Sequence, residues 1–233
     1  MYFEEVRQNL LNEAIASPNL LSDLAGLENY IAESYNNRSF IELLQNADDA
    51  KASKFKIVKK SDLLFVANNG RVFNQSDLES LCRSASSNKL RGETIGYRGI
   101  GFKSVVGFAK EIHLFSGEIE LTFSKELTKK EISQADRVPL IRIPHNVSES
   151  EQNKFSQIKN VLISEGYTTI FVFTGVTVNE IESEFEFFKY NSLLFLKNIE
   201  KTEIRLNSTT ITEVIKNKIN DSQFKSTLKS NNE

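Results

Sequence analysis

Residues 42–50 read Glu-Leu-Leu-Gln-Asn-Ala-Asp-Asp-Ala, and residues 94–104 read Thr-Ile-Gly-Tyr-Arg-Gly-Ile-Gly-Phe-Lys-Ser. On a helix turning about 100° per residue, Glu42, Asn46 and Asp49 fall within about 60° of one another, while Phe40, Leu43, Leu44, Ala47 and Ala50 fill another arc. Such a helix offers one face to a core and one to a ligand. The amide oxygen of Asn46 suits Mg²⁺, which dehydrates reluctantly and completes its octahedral shell with water and phosphate. Glu42, one turn earlier, is placed to orient or deprotonate an attacking water. Gly96, Gly99 and Gly101 let backbone N–H groups turn toward an anion, and a helix opening at Phe102 adds its positive dipole end. Arg98 and Lys103 flank that loop as candidate phosphate contacts. A metal ligand, phosphate donors and a water-directing group are the parts that nucleoside triphosphate hydrolysis requires.

Each segment alone is weak, since solvated helix faces and glycine turns are common. Their conjunction with Asn68-Asn69-Gly70, at the end of an apolar run over residues 63–67, is more specific. Residues 54–58 alternate polar and apolar like a half-buried strand, so 54–58 and 63–67 read as neighbours joined at residues 60–62. Helical spacing runs from residue 3 to 35, broken at Ser17-Pro18-Asn19 with a new start near residue 22. Asn74 reads as the N-cap of a short helix ending near Cys82. A helix from residue 102, a hairpin of 112–115 with 119–123, and a charged excursion over 124–137 follow. Strands are expected at 140–143 and 168–173, with a helix over about 150–164 stopped by Gly166. A helix near 179–190 and strands near 204 and 211 complete the pattern, and residues 221–233 read as a frayed polar tail. Helices and strands intermix without a βαβ period, so the expected class is α+β, a two-layer sandwich with helices on one face of a mixed, mostly antiparallel sheet.

The chain has 233 residues, 39% hydrophobic content and 17 phenylalanines, enough for a large core. A formal charge of −2 gives no global basic field, so nucleic acid is not indicated as a partner except through a local basic patch. One cysteine excludes an internal disulfide, and with two isolated histidines it builds none of the usual zinc spacings. Cys82, His113 and His145 read as structural. No leader-like start and no apolar run of membrane-spanning length is present, so the expected setting is cytoplasmic and off the membrane.

The four segments at 42–50, 66–73, 94–104 and 167–170 resemble, in order and spacing, the GHKL or Bergerat-fold ATPase superfamily, which includes the ninety-kilodalton heat-shock chaperone. The sacsin and NO VEIN branch is the most similar. The resemblance covers about residues 38–173 and implies a Bergerat-type sandwich. It implies ATP and Mg²⁺ as cofactors, with Glu42 as the water-activating glutamate, Asn46 as the metal ligand, Asp49 as a nucleotide-side polar residue and Thr168 near the adenine. Gly70, Gly96, Arg98, Gly99, Gly101, Phe102 and Lys103 complete the nucleotide set, and residues 84–91, with Ser84, Ser86, Ser87 and Lys89, become a lid. Lid closure in this superfamily is often coupled to dimerisation, so a homodimer and a protein partner or further domain are expected. Residues 1–200 then form the ATP-binding domain, and 201–233 a strand pair and tail leading to or replacing another domain. The implied activity is slow ATP hydrolysis that drives a change in an attached domain or partner, in a chaperone-like or nucleic-acid and defence setting. A nucleotide-gated dimerisation or partner-binding module with little hydrolysis stays open beside it. The second segment departs from the superfamily: Asn68 stands where an aspartate usually accepts from the adenine amino group, and Val72 where a second glycine is common. An amide can present its oxygen to adenine or, flipped, its NH₂ to guanine O6, so either a weaker adenine affinity or a relaxed base choice is expected.

Overall fold

The computed structural model describes residues 2–34, 38–83, 101–187, 195–206, 211–220 and 223–231. Helices α1 (Tyr2–Ala16), α2 (Pro18–Ser34) and α3 (Ser39–Asp49) come first, followed by the hairpin β1 (Lys54–Lys60) and β2 (Leu63–Asn68) and by α4 (Gln75–Cys82). A 3₁₀ segment, Gly101–Gly107, precedes β3 (Glu111–Ser116), β4 (Ile119–Ser124), α5 (Lys125–Glu131) and β5 (Pro144–Asn146). Then come α6 (Glu149–Ser164), β6 (Thr169–Phe173), α7 (Val178–Phe187) and the strands β7 (Lys201–Arg205), β8 (Ile211–Asn220) and β9 (Gln223–Asn231). The strands form a single nine-stranded sheet in the order β5-β4-β3-β6-β2-β1-β7-β8-β9. Every neighbouring pair is antiparallel except β1 with β7. The architecture is therefore the expected α+β sandwich on a mostly antiparallel sheet, with the difference that helices cover both of its faces rather than one.

The central strands are apolar on both sides because both sides are covered. Leu64 and Val66 of β2, with Phe171 and Phe173 of β6, join the core under α1–α4. Leu63, Phe65 and Ala67 point the other way, and there α6 lays Phe155 and Leu162 over them with Ile170 and Val172. The period-2 alternation of strands thus feeds two cores, and α6 is the helix that closes the reverse face.

Several boundaries differ from the sequence reading. Helix α2 begins at Pro18, about four residues earlier than expected, since proline at a first helical position sacrifices only an N–H with no partner in the first turn. The helix expected from residue 102 is a 3₁₀ segment. Residues 140–143 form no strand: Leu140 and Ile141 donate their backbone N–H groups to the buried Glu28 carboxylate at 2.5 and 2.9 Å, a side-chain partner in place of a ladder. The charged excursion contains α5, capped by Ser124. The expected frayed tail contains β9, which pairs along β8; its polar composition hid a strand whose partner is supplied by the preceding hairpin arm.

Candidate functional site

Helix α3 carries the polar stripe, and buried carboxylates hold it at both ends, one supplied by α7 and one its own. Arg38, the residue at its N-cap, makes no side-chain cap. Glu184 of α7 does that work instead, accepting from Ser39 Oγ at 2.9 Å and from the Phe40 N–H at 3.3 Å, where the first-turn N–H groups have no helical partner. At the other end Asp48 accepts from the N–H groups of Lys197, Asn198 and Ile199 at 3.0, 2.6 and 2.9 Å, tying residues 197–199 to the helix terminus. Phe40, Leu43, Leu44 and Ala47 anchor the core face. With both ends and one face fixed, Glu42, Asn46 and Asp49 remain half-buried on the other face.

That face lines a cavity of about 390 Å³, within the size range of small-ligand sites. Glu42, Asn46 and Asp49 form one wall, Asn68 and Thr169 stand on the sheet floor, and Gly101 and Phe102 close one end. The loop glycine and the helix stripe are in direct apposition: a Cβ placed on Gly101 would overlap the Glu42 carboxylate and lie 3.0 Å from its Cγ. Only a residue without a side chain lets the loop reach the carboxylate this closely. Phe73, Phe102 and Phe171 make an apolar corner, with ring centroids 5.9 Å apart for Phe73–Phe171 and 4.9 Å for Phe102–Phe171.

The turn after β2 is built by hydrogen bonds. Asn68 Oδ1 accepts from the Gly70 N–H at 3.0 Å, and since only an oxygen can face an N–H, the amide orientation is settled. Asn68 is 9% exposed and lines the cavity; among the described residues its NH₂ group makes no hydrogen bond. Gly70 does not line the cavity. Its role is close approach, since a Cβ there would meet Ala50 O at 2.7 Å and Ala50 Cβ at 2.9 Å.

Two other expected ligands face elsewhere. Lys103 is buried away from the cavity, donating to Ile141 O at 2.9 Å with Glu28 Oε1 at 3.7 Å. Burial pushes its ammonium below the ordinary lysine range, and the Glu28 charge opposes that shift. Thr168 donates to Gly70 O at 2.5 Å and so pins the turn, while Thr169 is the threonine in the cavity, paired with Ser116 Oγ at 2.7 Å. Thr168 precedes β6 and Thr169 opens it, and successive residues of extended chain point to opposite sides, so it is the neighbour of the expected threonine that lines the cavity. Gly96, Arg98, Gly99 and the lid positions Ser84, Ser86, Ser87 and Lys89 lie outside the described residues.

The sequence reading also missed Arg71, Asp77 and Ser80 at the rim. Arg71 forms a two-pronged ion pair with Asp77, one arm at 2.8 Å, and this hydrogen bonding holds the guanidinium above its ordinary pKa. Asp77 also closes the capping box of α4 with Asn74. The signal was present as Asn74-x-x-Asp77, a cap whose acidic member sits within reach of a basic residue. With Asp77 neutralised by Arg71, Glu42 and Asp49 remain as the acidic groups among the described lining residues. A polyanion would meet repulsion there unless a cation came with it.

No protein-family model matches the chain. It is 31% identical over 183 residues to Protein NO VEIN of Arabidopsis thaliana, an alignment that spans 72% of this chain and 6% of that protein. A solved structure of the N-terminal domain of a DNA repair protein aligns over 81% of this chain and 51% of its own, at 16% identity and a TM-score of 0.39, too low to bear on function. The chain is therefore similar to a small part of a much longer plant protein.

Proposed function

We propose that the cavity binds a nucleoside triphosphate with Mg²⁺ and hydrolyses it slowly, as a GHKL-type ATPase unit. The observation that carries this reading is the apposition of the α3 stripe and Gly101 across one cavity. Asn46 would hold the ion through its amide oxygen, with Asp49 on the same face, and these hard oxygen donors fit Mg²⁺. The ion would neutralise the phosphate charge that Glu42 and Asp49 otherwise oppose. Glu42 orients the attacking water and accepts its proton, from a position fixed by the helix caps and by contact with Gly101. Asn68 reads the base edge. Phe73, Phe102 and Phe171 exclude water around the base or sugar. Closure of residues 84–91 over the nucleotide would transmit occupancy to an attached domain, a second copy or another protein.

The test pairs calorimetric titration of ATP and Mg²⁺ with measured phosphate release. Wild type is expected to bind and turn over, and Glu42→Ala to bind with turnover lost. Binding without turnover in the wild type would favour the nucleotide-gated module instead. No saturable binding of ATP or GTP would remove both readings.

A further inference from the structure

On the reverse face of the sheet, remote from the cavity in the fold, the geometry points to a second site: a divalent-metal site, for Zn²⁺, built from Glu111 and His113 of β3 and Glu151 at the start of α6. One ligand atom from each of the three residues lies within 4.8 Å of the others. Tetrahedral ligands held about 2.0–2.2 Å from Zn²⁺ sit roughly 3.3–3.6 Å apart, so about an ångström of carboxylate movement closes the set.

The independent sign of a missing partner is His113. Its side chain is fully buried at 0% exposure, and Nε2 has no hydrogen-bond partner. Glu151 Oε1 is 3.9 Å away, too long for a hydrogen bond. An orphaned ring nitrogen in an apolar setting costs free energy that a metal bond would recover. The other ring nitrogen is already committed: Nδ1 lies 2.8 Å from Thr122 Oγ1 on β4. With Nδ1–H donating to that hydroxyl, the Nε2 lone pair faces the two carboxylates, the arrangement by which an outer hydrogen bond orients a metal-binding histidine.

The carboxylates are similarly prepared. Glu151 Oε2 accepts from the Ser148 N–H at 2.8 Å and from Ser148 Oγ at 2.7 Å in the α6 capping box, which leaves Oε1 toward His113. Glu111, half-buried two residues along the strand from His113, makes no side-chain hydrogen bond or ion pair among the described residues. The neighbouring cation, Lys154, is turned to Asp62 at 3.7 Å. Imidazole with two carboxylates suits Zn²⁺, with water as the fourth ligand. Such an ion would staple the start of α6 to β3 and fix the helix that covers the second core.

The test uses the full chain, stripped of metal with a chelator and titrated with ZnCl₂ by calorimetry, with melting temperature followed in parallel. One equivalent is expected to bind and to raise the melting temperature. Glu111→Gln, whose side chain supports nothing else, should bind at least about 100-fold more weakly and lose the shift while melting like the metal-free wild type; His113→Gln should behave alike towards zinc. Asn46→Ala should bind Zn²⁺ as wild type does, separating this site from the cavity. Absence of stoichiometric binding to the wild type, or wild-type affinity in both Glu111→Gln and His113→Gln, overturns the proposal.

Discussion

Replacing Gly101 with alanine should disable Glu42 without touching it. The added methyl would occupy the volume of the Glu42 carboxylate, with Cγ at 3.0 Å, so the side chain has to swing away. Gly101 is not among the glycines with left-handed φ, so alanine is compatible with the backbone. The atoms that must move belong to the end of a flexible side chain, which limits the conformational cost to about 0.5–1.5 kcal/mol. Restoring ordinary van der Waals separation displaces the carboxylate by roughly 1.5 Å, and a misplacement of about 1 Å costs on the order of 100-fold in rate. Complete loss of a general base costs about 10²–10⁴-fold. Turnover should therefore fall by about 10²–10⁴-fold in Gly101→Ala, with nucleotide affinity changed by less than about 10-fold. The assay is phosphate release at saturating ATP and Mg²⁺, beside calorimetric affinity and thermal melting. In a Glu42→Ala background the same change should have no further effect on rate, because the two substitutions remove one group. A Gly101→Ala protein that turns over within threefold of wild type, while Glu42→Ala is inactive, would refute the coupling of loop and carboxylate.

Three further outcomes follow from the geometry. Asn68→Asp replaces a cavity-facing NH₂ donor by an acceptor, so the ratio of ATP to GTP affinity should rise by about 10-fold or more; competition titrations giving equal ratios in wild type and variant would remove Asn68 as the base-reading group. Gly70→Ala drives a Cβ into backbone and side-chain atoms of Ala50, and should lower stability in urea unfolding by about 1–3 kcal/mol; an unchanged midpoint contradicts the packing of the turn on α3. Burial holds His145 below the ordinary histidine range, against the charge of Glu131. The unfolded chain therefore takes up the proton first as pH falls through about 6.5, and stability is lost from there toward the lower folded value. The melting temperature should fall from pH 8 to pH 5 by less in His145→Gln than in wild type.

Phe40, Leu43, Leu44 and Ala47 against Glu42, Asn46 and Asp49 were legible as two faces because a helix has a fixed turn per residue. The hairpin of β1 and β2, the α4 cap at Asn74 and the stop at Gly166 were legible for the same local reason. Other assignments depended on partners distant in the chain. Thr168 lies just before β6 and pins the turn after β2, whereas Thr169 opens β6 and is set in the cavity by pairing with β2 and β3. Lys103 looked like a phosphate ligand beside a glycine loop, yet Glu28 and Ile141, far along the chain on either side, draw its ammonium into the interior. The last strand, β9, exists because β8 offers it a ladder. The sequence alone thus determined which segments carry the polar groups that line the cavity, since periodicity, caps and turn residues act over a few positions. Only the tertiary structure decided which side chains share a cavity, and it alone brought Glu111, His113 and Glu151 together, because strand register and the burial of charge are settled by contacts between residues far apart in the chain.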